Sequence, residues 1–360
     1  MRVLHVNTEN GWRGGERQTL LTALEQQRQG VESRIACRRG APLQDLAKAE
    51  HIPVVSLSGA PPAALLALSR AAGACDVLHC HTGRGHSLGV LATLRRRPPL
   101  VVSRRVVFVP RASWFNRWKY RRADRVVCVS EYIARLLREW GVAAEKLSVI
   151  HDAVPGDALL PREACLKELR ARTGVSAGQR FVGNIAALTR DKDHATLLRA
   201  AKEVAARRPD VAFVIIGEGE LKEELLKLRQ ELALEHVMHF TGFIPQAQRL
   251  LPGFDVFALS TRMEGLGTIV LDAALAGVPV AATAAGGLPE AVLDGQTGLL
   301  APVGNAPALA AALLRLLEEP ALAQRLVQAA RRRVEQEFSV TTMARRYVEI
   351  YQALLAKGGS

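Results

Sequence analysis

Ser260-Thr-Arg-Met-Glu-Gly-Leu-Gly-Thr-Ile-Val-Leu-Asp-Ala-Ala-Leu-Ala-Gly-Val-Pro-Val280 decides how this chain is read. An apolar strand ends at Ser260. A glycine-containing loop follows, and a helix opens at about Thr268. Glu264 lies in the loop, and Asp272 lies about one turn into the helix. The amides of Gly267, Thr268 and Ile269 form the helix N-terminus, where backbone N–H groups and the helix dipole favour an anion. Two carboxylates flanking an anion site are costly unless they hold hydroxyl groups, such as those of a ribose or hexose.

Outward from this stretch, short runs rich in Val, Ile and Leu alternate with helical patterns. Strands are expected at Val3–Val6, Ser33–Ala36, Val54–Leu57, Val77–Cys80, Leu100–Ser103, Arg125–Val129 and Leu147–Ile150. The rhythm pauses at Asp152–Val175, which holds Pro155, Pro161 and a polar helix. It restarts with strands at Arg180–Ile185, Ala212–Ile216, Val237–Thr241, Val256–Ser260, Val280–Thr283 and Gly298–Ala301. Helices fit Glu16–Gln29, Glu131–Trp140, Asp193–Arg207, Leu221–Leu232, Thr268–Ala276 and Ala306–Leu317. The pattern predicts two doubly wound α/β units with parallel sheets covered on both faces. The expected spans are 1–155, 156–338 and a last helix in 339–360 with no strand after it. In such sheets ligands meet the loops at the carboxyl ends of the strands.

Three more of those loops carry chemistry. Gly14 and Gly15 stand before the first helix, beside Glu16, and offer a second anion site. The spacing is not G-x-G-x-x-G, so the dinucleotide fingerprint of a dehydrogenase is absent. Asp76-Val-Leu-His-Cys-His81 ends a strand. His79 and His81 share a face while Cys80 does not, which disfavours zinc. His81 reads as a catalytic group at a cleft edge, with a buried, hydrogen-bonded histidine as the alternative. Gly183–His194 places Lys192 where an ammonium meets a phosphate. Asp191-Lys-Asp193 spells D-x-D, a metal pattern, but Asp193 is well placed as a helix N-cap.

The chain has 360 residues, 49% of them apolar, and a formal charge of +13. It is long enough to bury two cores. Its five cysteines, an odd number without C-x-x-C spacing, read as free thiols. The first residues lack a signal-peptide pattern, and no apolar run is long enough for a transmembrane helix. The charge is concentrated. Arg95 to Arg135 holds twelve Arg/Lys and two acids, a local balance of +10. Arg104, Arg105, Arg111 and Arg122 are interleaved there with Phe108, Trp114, Phe115, Trp118 and Tyr120. Such a block marks an anionic partner.

Glu264–Asp272 with Gly277-Val-Pro-Val280 resembles the E-x7-E signature of family-four retaining glycosyltransferases, glycosyl transferases group 1, with Asp in place of the second Glu. The likeness continues through Val214-Ile-Ile-Gly-Glu-Gly219, His239-Phe-Thr-Gly-Phe243, Gly286-Gly-Leu-Pro-Glu290 and Asp294-Gly-Gln-Thr-Gly298. Gly14-Gly-Glu16 and Asp76–His81 resemble the family's first-domain landmarks. The resemblance implies the GT-B fold: two facing Rossmann-like domains, with a C-terminal helix crossing back to the first. It implies a sugar nucleotide as donor, a UDP-sugar foremost. Lys192 would contact the diphosphate, Glu264 would hold the donor sugar, and Asp272 would bind the ribose. Leu266, Gly267, Thr268 and Ile269 would meet the phosphates with Gly14 and Gly15 opposite. Arg190 would add charge where the family's arginine is replaced by Ala187. Gly217 would line the donor site, and Phe243 and Ile244 would meet the base. No metal and no further cofactor is implied.

The first domain receives the acceptor in this family. Glu16, Arg104, Arg105, Arg111, Trp114 and Trp118 are therefore expected at an acceptor or membrane surface. Aromatic residues with Arg/Lys suit an interface holding anionic lipid heads. The resemblance points to a cytoplasmic, peripheral enzyme at the inner-membrane surface. Its acceptor would be an anionic glycan such as lipopolysaccharide core, or a lipid-linked one. The alternatives are a sugar-nucleotide 2-epimerase of the same fold and, of a different class, a basic nucleic-acid-binding protein. No nucleic-acid signature accompanies the charge, so no nucleic-acid partner is expected.

Overall fold

The computed structural model describes residues 1–94, 98–156 and 159–358. Arg95, Arg96 and Arg97, the first three cations of the basic block, lie outside the described residues. The chain divides into two compact units, Met1–Pro155 with Phe338–Ser360, and Gly156–Glu337. All thirteen strands expected from the sequence form, with ends moved by at most two residues.

The first unit holds β1 (Arg2–Asn7), β2 (Glu32–Arg38), β3 (Val54–Leu57), β4 (Val77–Cys80), β5 (Leu100–Arg104), β6 (Arg125–Cys128) and β7 (Leu147–Val149). They form one sheet in the order β3-β2-β1-β4-β5-β6-β7, with every pairing parallel. The second unit holds β8 (Arg180–Ile185), β9 (Val211–Ile216), β10 (Met238–Gly242), β11 (Val256–Leu259), β12 (Val280–Thr283) and β13 (Leu299–Ala301). Their order is β10-β9-β8-β11-β12-β13, again parallel. Both orders reverse once, between β1 and β4 and between β8 and β11. β4, β9, β11 and β12 are buried along their whole length, as both-face coverage requires.

The last helix, Val340–Gly358, belongs to the first unit. Its Met343, Tyr347 and Tyr351 pack with Val3, Val77, Val101 and Val127 of the sheet. Tyrosines so deep need partners for their hydroxyls, and a chain of polar groups supplies them. Arg105 Nη1 faces His81 Nδ1 at 3.1 Å. A guanidinium can only donate, so Nδ1 is bare and Nε2 carries the proton. His81 Nε2–H then donates to His5 Nδ1 at 3.0 Å, and His5 Nε2–H donates to Gln26 Oε1 at 3.0 Å. The Gln26 amide donates to the Tyr351 hydroxyl at 3.3 Å, which leaves the Tyr351 proton for His79 Nδ1 at 2.6 Å. His79 Nε2–H meets Ser103 Oγ at 2.8 Å, and Ser103 meets the Tyr347 hydroxyl at 2.9 Å. One side chain orients the next, and the helix is held in register with the sheet.

Burial holds these imidazoles neutral. It pushes His5 down to about 4 and His79 and His81 well below the usual histidine range. His86, also buried, falls to about 3. The unfolded chain takes up these protons near pH 6.5, whereas the folded chain does not. The stabilisation is therefore complete above about pH 6.5 and declines as pH falls towards 4, by up to about 1.4 kcal/mol per pH unit per histidine. Urea unfolding of the first unit, followed by fluorescence from pH 7 to pH 4, should show the midpoint dropping. A flat profile would contradict the buried neutral network.

Candidate functional site

The reversal of strand order in the second unit sets β8 beside β11 and sends their two loops apart. The β8 loop contains a tight turn over Arg190–Lys192 before the helix His194–Arg207. The β11 loop runs from Ser260 to Gly267, ahead of the helix Thr268–Leu275. Side chains of the second loop hold the backbone of the first. Ser260 Oγ donates to the Lys192 carbonyl at 3.0 Å, and Thr261 Oγ1 donates to the Asp191 carbonyl at 2.7 Å. The Arg262 amide donates to that Asp191 carbonyl at 2.7 Å.

This clamp brings Lys192 Nζ to 2.6 Å from Glu264 Oε2. Their side chains keep 21% and 17% of their exposure, so solvent and small molecules still reach them. Glu264 is also fixed from behind. The Gly287 amide donates to its carbonyl at 2.9 Å. A Cβ at Gly286 would overlap that same carbonyl, and its φ is +57°. The motif Gly286-Gly287 therefore has a physical task that sequence reasoning left blank. Gly267 adopts φ +81° at the start of the helix, a conformation that favours glycine. Thr268 and Ile269 are half-buried, and Leu266 is buried. Asp272 is buried in the following turn.

Other expected donor residues divide. Arg190 and Phe243 are exposed, Phe243 to 65%, whereas the Ile244 side chain is buried. Gly217 has a structural reason to be glycine. A Cβ there would overlap the Ala186 carbonyl, so the glycine lets the end of β9 close against the β8 loop. Asp193 occupies the N-cap position but does not cap with its side chain. Its Oδ2 accepts from Thr196 Oγ1 at 2.7 Å and Arg262 Nε at 2.8 Å. The Asp193 carboxylate is thus engaged within the chain.

In the first unit, several expected surface residues turn inward. Glu16 is buried; it accepts from the Arg13 amide at 2.9 Å and from Asn7 Nδ2 at 3.3 Å. It caps the helix Gly14–Arg28 and does not face an acceptor. That helix starts at Gly14, so Gly14 and Gly15 lie in its first turn. No neighbouring atom in the chain demands glycine at either position. Arg104 is buried, with its guanidinium over the Phe108 ring and donating to the Phe108 carbonyl. Arg105 grips both oxygens of Asp152 at 3.0 Å. Neither arginine is a lipid-facing residue. Arg111 and Trp114 stay exposed, Trp114 to 77%, and Trp118 is half-buried against Phe115.

His81 is corrected in the same way. Both ring nitrogens are engaged and 6% of the residue is exposed, so it is the buried histidine of the alternative reading, not a proton acceptor. His5, His79 and His81 bring three imidazoles together, with one ring nitrogen from each lying within 4.8 Å of the others. All six ring nitrogens are hydrogen-bonded, and Arg105 adjoins the group. The arrangement suits a neutral network, not a cation. His5 escaped sequence reasoning, although its pairing opposite His79 in β1 and β4 is what assembles the group.

Comparison with known proteins bears on the family and the fold. The chain is 29% identical to 2-deoxystreptamine glucosyltransferase of Streptomyces kanamyceticus over 69% of its length and 65% of the relative's. It is 35% identical to a GDP-mannose-dependent alpha-(1-6)-phosphatidylinositol monomannoside mannosyltransferase of Mycolicibacterium smegmatis, over 55% of this chain and 54% of that one. These matches thus span between about half and two thirds of the relatives. Anabaena Alr3699/HepE, solved with UDP-glucose, superposes with a TM-score of 0.87 at 22% identity, covering 98% of this chain and 100% of that one. Residues 12–157 match Glycosyltransferase Family 4, and residues 167–333 match Glycosyl transferases group 1. One match falls in each unit, and the chain belongs to the group 1 glycosyltransferases of family four, with the GT-B fold.

Proposed function

We propose that the chain transfers a hexose from a nucleoside-diphosphate sugar, a UDP-sugar foremost, to a lipopolysaccharide-core or lipid-linked glycan, with retention of configuration. The observation that carries this is the Lys192–Glu264 pair at 2.6 Å beside the helix opening at Thr268. A diphosphate at that helix end takes the Lys192 ammonium as a partner and frees Glu264 for sugar hydroxyls. Amides of Gly267, Thr268 and Ile269 and the ammonium then stabilise the charge growing on the leaving phosphate, a preorganised electrostatic effect. Asp272 accepts from the ribose. The leaving phosphate oxygen takes the acceptor's proton, so no paired carboxylates are needed. Lys192 and the amides do the work that a metal does elsewhere.

The exposed set Phe108, Val109, Arg111 and Trp114 supports a peripheral membrane role at the cytoplasmic face. No helix among the described residues is long and apolar enough to cross a membrane. The mannosyltransferase of M. smegmatis acts on a phosphatidylinositol mannoside, which favours a lipid-linked acceptor here too.

Lys192→Ala and Glu264→Ala should each lower sugar transfer by about 100-fold or more while circular dichroism stays unchanged. Full turnover in either would sink the site assignment. Assays across UDP-, GDP- and ADP-sugars identify the donor. Treatment with a chelator should leave the rate intact; loss restored by a divalent ion would overturn the metal-free reading. Arg111→Ser with Trp114→Ser should reduce sedimentation with anionic vesicles, most clearly at low salt. Unchanged sedimentation would exclude this face as the membrane contact.

A further inference from the structure

We propose that the first unit carries a separate anion site, which takes the phosphate of a phosphomonoester or diphosphate. It is a cavity of about 180 Å³ lined by Arg117, Tyr120, Arg121, Trp140 and Lys146 together with Gly141, Val142 and Ala143. These residues lie on the segments that lead into β6 and β7. The cavity therefore sits at the amino edge of the sheet, opposite the edge where β4 delivers His81.

Three cations line it and no acid does. Among the described residues no carboxylate forms an ion pair with Arg117, Arg121 or Lys146. Lys146 is not a loose surface group. Its Nζ donates to the carbonyls of Arg121 at 2.6 Å and Ala123 at 2.9 Å, which leaves a third N–H for another acceptor. The Arg117 guanidinium lies over the Trp140 ring, 5.6 Å from its centroid. Trp140 Nε1 is buried with no acceptor. Like charges gathered round one cavity without a counter-charge favour an ion that carries more than one negative charge. Phosphate fits that charge and accepts the forked bonds of arginine. The aromatic walls, Tyr120 and Trp140 at 5.3 Å, suit the carbon skeleton the phosphate is attached to. That skeleton belongs either to a lipid headgroup or to a soluble sugar phosphate.

The test uses the full chain carrying Lys192→Ala, which disables the phosphate contact proposed for the second unit. Calorimetric titration with inorganic pyrophosphate should show binding that Arg117→Gln/Arg121→Gln weakens by about tenfold or more. Arg138→Gln, an exposed arginine of the same unit outside the cavity, should change it by less than about twofold. Equal affinity in the double variant, or an equal loss from Arg138→Gln, overturns the proposal. Thermal melting checks the fold; if the double variant is unfolded, the single exposed Arg121→Gln replaces it and should still weaken binding. Vesicles with phosphatidylglycerol and free glucose 1-phosphate separate the sources. Loss of vesicle binding assigns a lipid headgroup, loss of glucose 1-phosphate binding alone assigns a soluble ligand, and loss of neither overturns the site.

Discussion

A parallel sheet whose strand order reverses must send neighbouring loops in opposite directions, and both units of this protein are organised by that constraint. Between β8 and β11 the diverging loops deliver Lys192 and Glu264. Between β1 and β4 they deliver the start of the helix Gly14–Arg28 and His81. The polar contacts that follow keep those loops from relaxing. Ser260, Thr261 and the Arg262 amide bind the backbone carbonyls of Asp191 and Lys192, so the backbone that carries Lys192 is fixed by the chain itself. A preorganised ammonium costs little reorganisation when it meets a phosphate.

The two reversal points hold their charge differently. Lys192 and Glu264 pair with each other and stay partly exposed. At the first unit's reversal point the three histidines are buried. There the imidazoles and tyrosines satisfy one another, because a buried unpaired donor or acceptor costs about 1–3 kcal/mol. The chain from Arg105 to Tyr347 draws on β1, β4, β5, the helix Gly14–Arg28 and the last helix. That helix follows the second unit in sequence yet packs into the first, and the network explains what specifies its seat beyond apolar contact.

The sheets were legible because apolar runs and turn signals are local properties of the chain. The placing of Lys192 and Glu264 in the loops after β8 and β11 was legible because those strands could be counted. Side-chain direction was not legible. Arg104 and Arg105 read as surface cations within a basic block, yet one lies over Phe108 and the other is locked to Asp152, 47 residues on. Glu16 read as an acceptor contact and caps its own helix. His81 read as a catalytic group because it ends a strand at a cleft edge. Its decisive neighbours, His5 and Arg105, come from other strands and are set by register. Gly217 and Gly286 show the same limit. A glycine in a motif signals a close approach, but only the fold says whether a ligand or a carbonyl is what approaches.

The charge of +13 therefore does not act as one field. Arg104, Arg105 and Lys119 of the basic block point inward and serve the core. Arg111 stands beside exposed aromatic residues at the carboxyl end of β5. Arg117, Arg121 and Lys146 surround a cavity at the opposite edge of the sheet. An unspecific polyanion would need these groups on one continuous face, because phosphate binding along a polymer depends on many contacts in register. Their separation by a whole sheet instead favours small, discrete anions at different places.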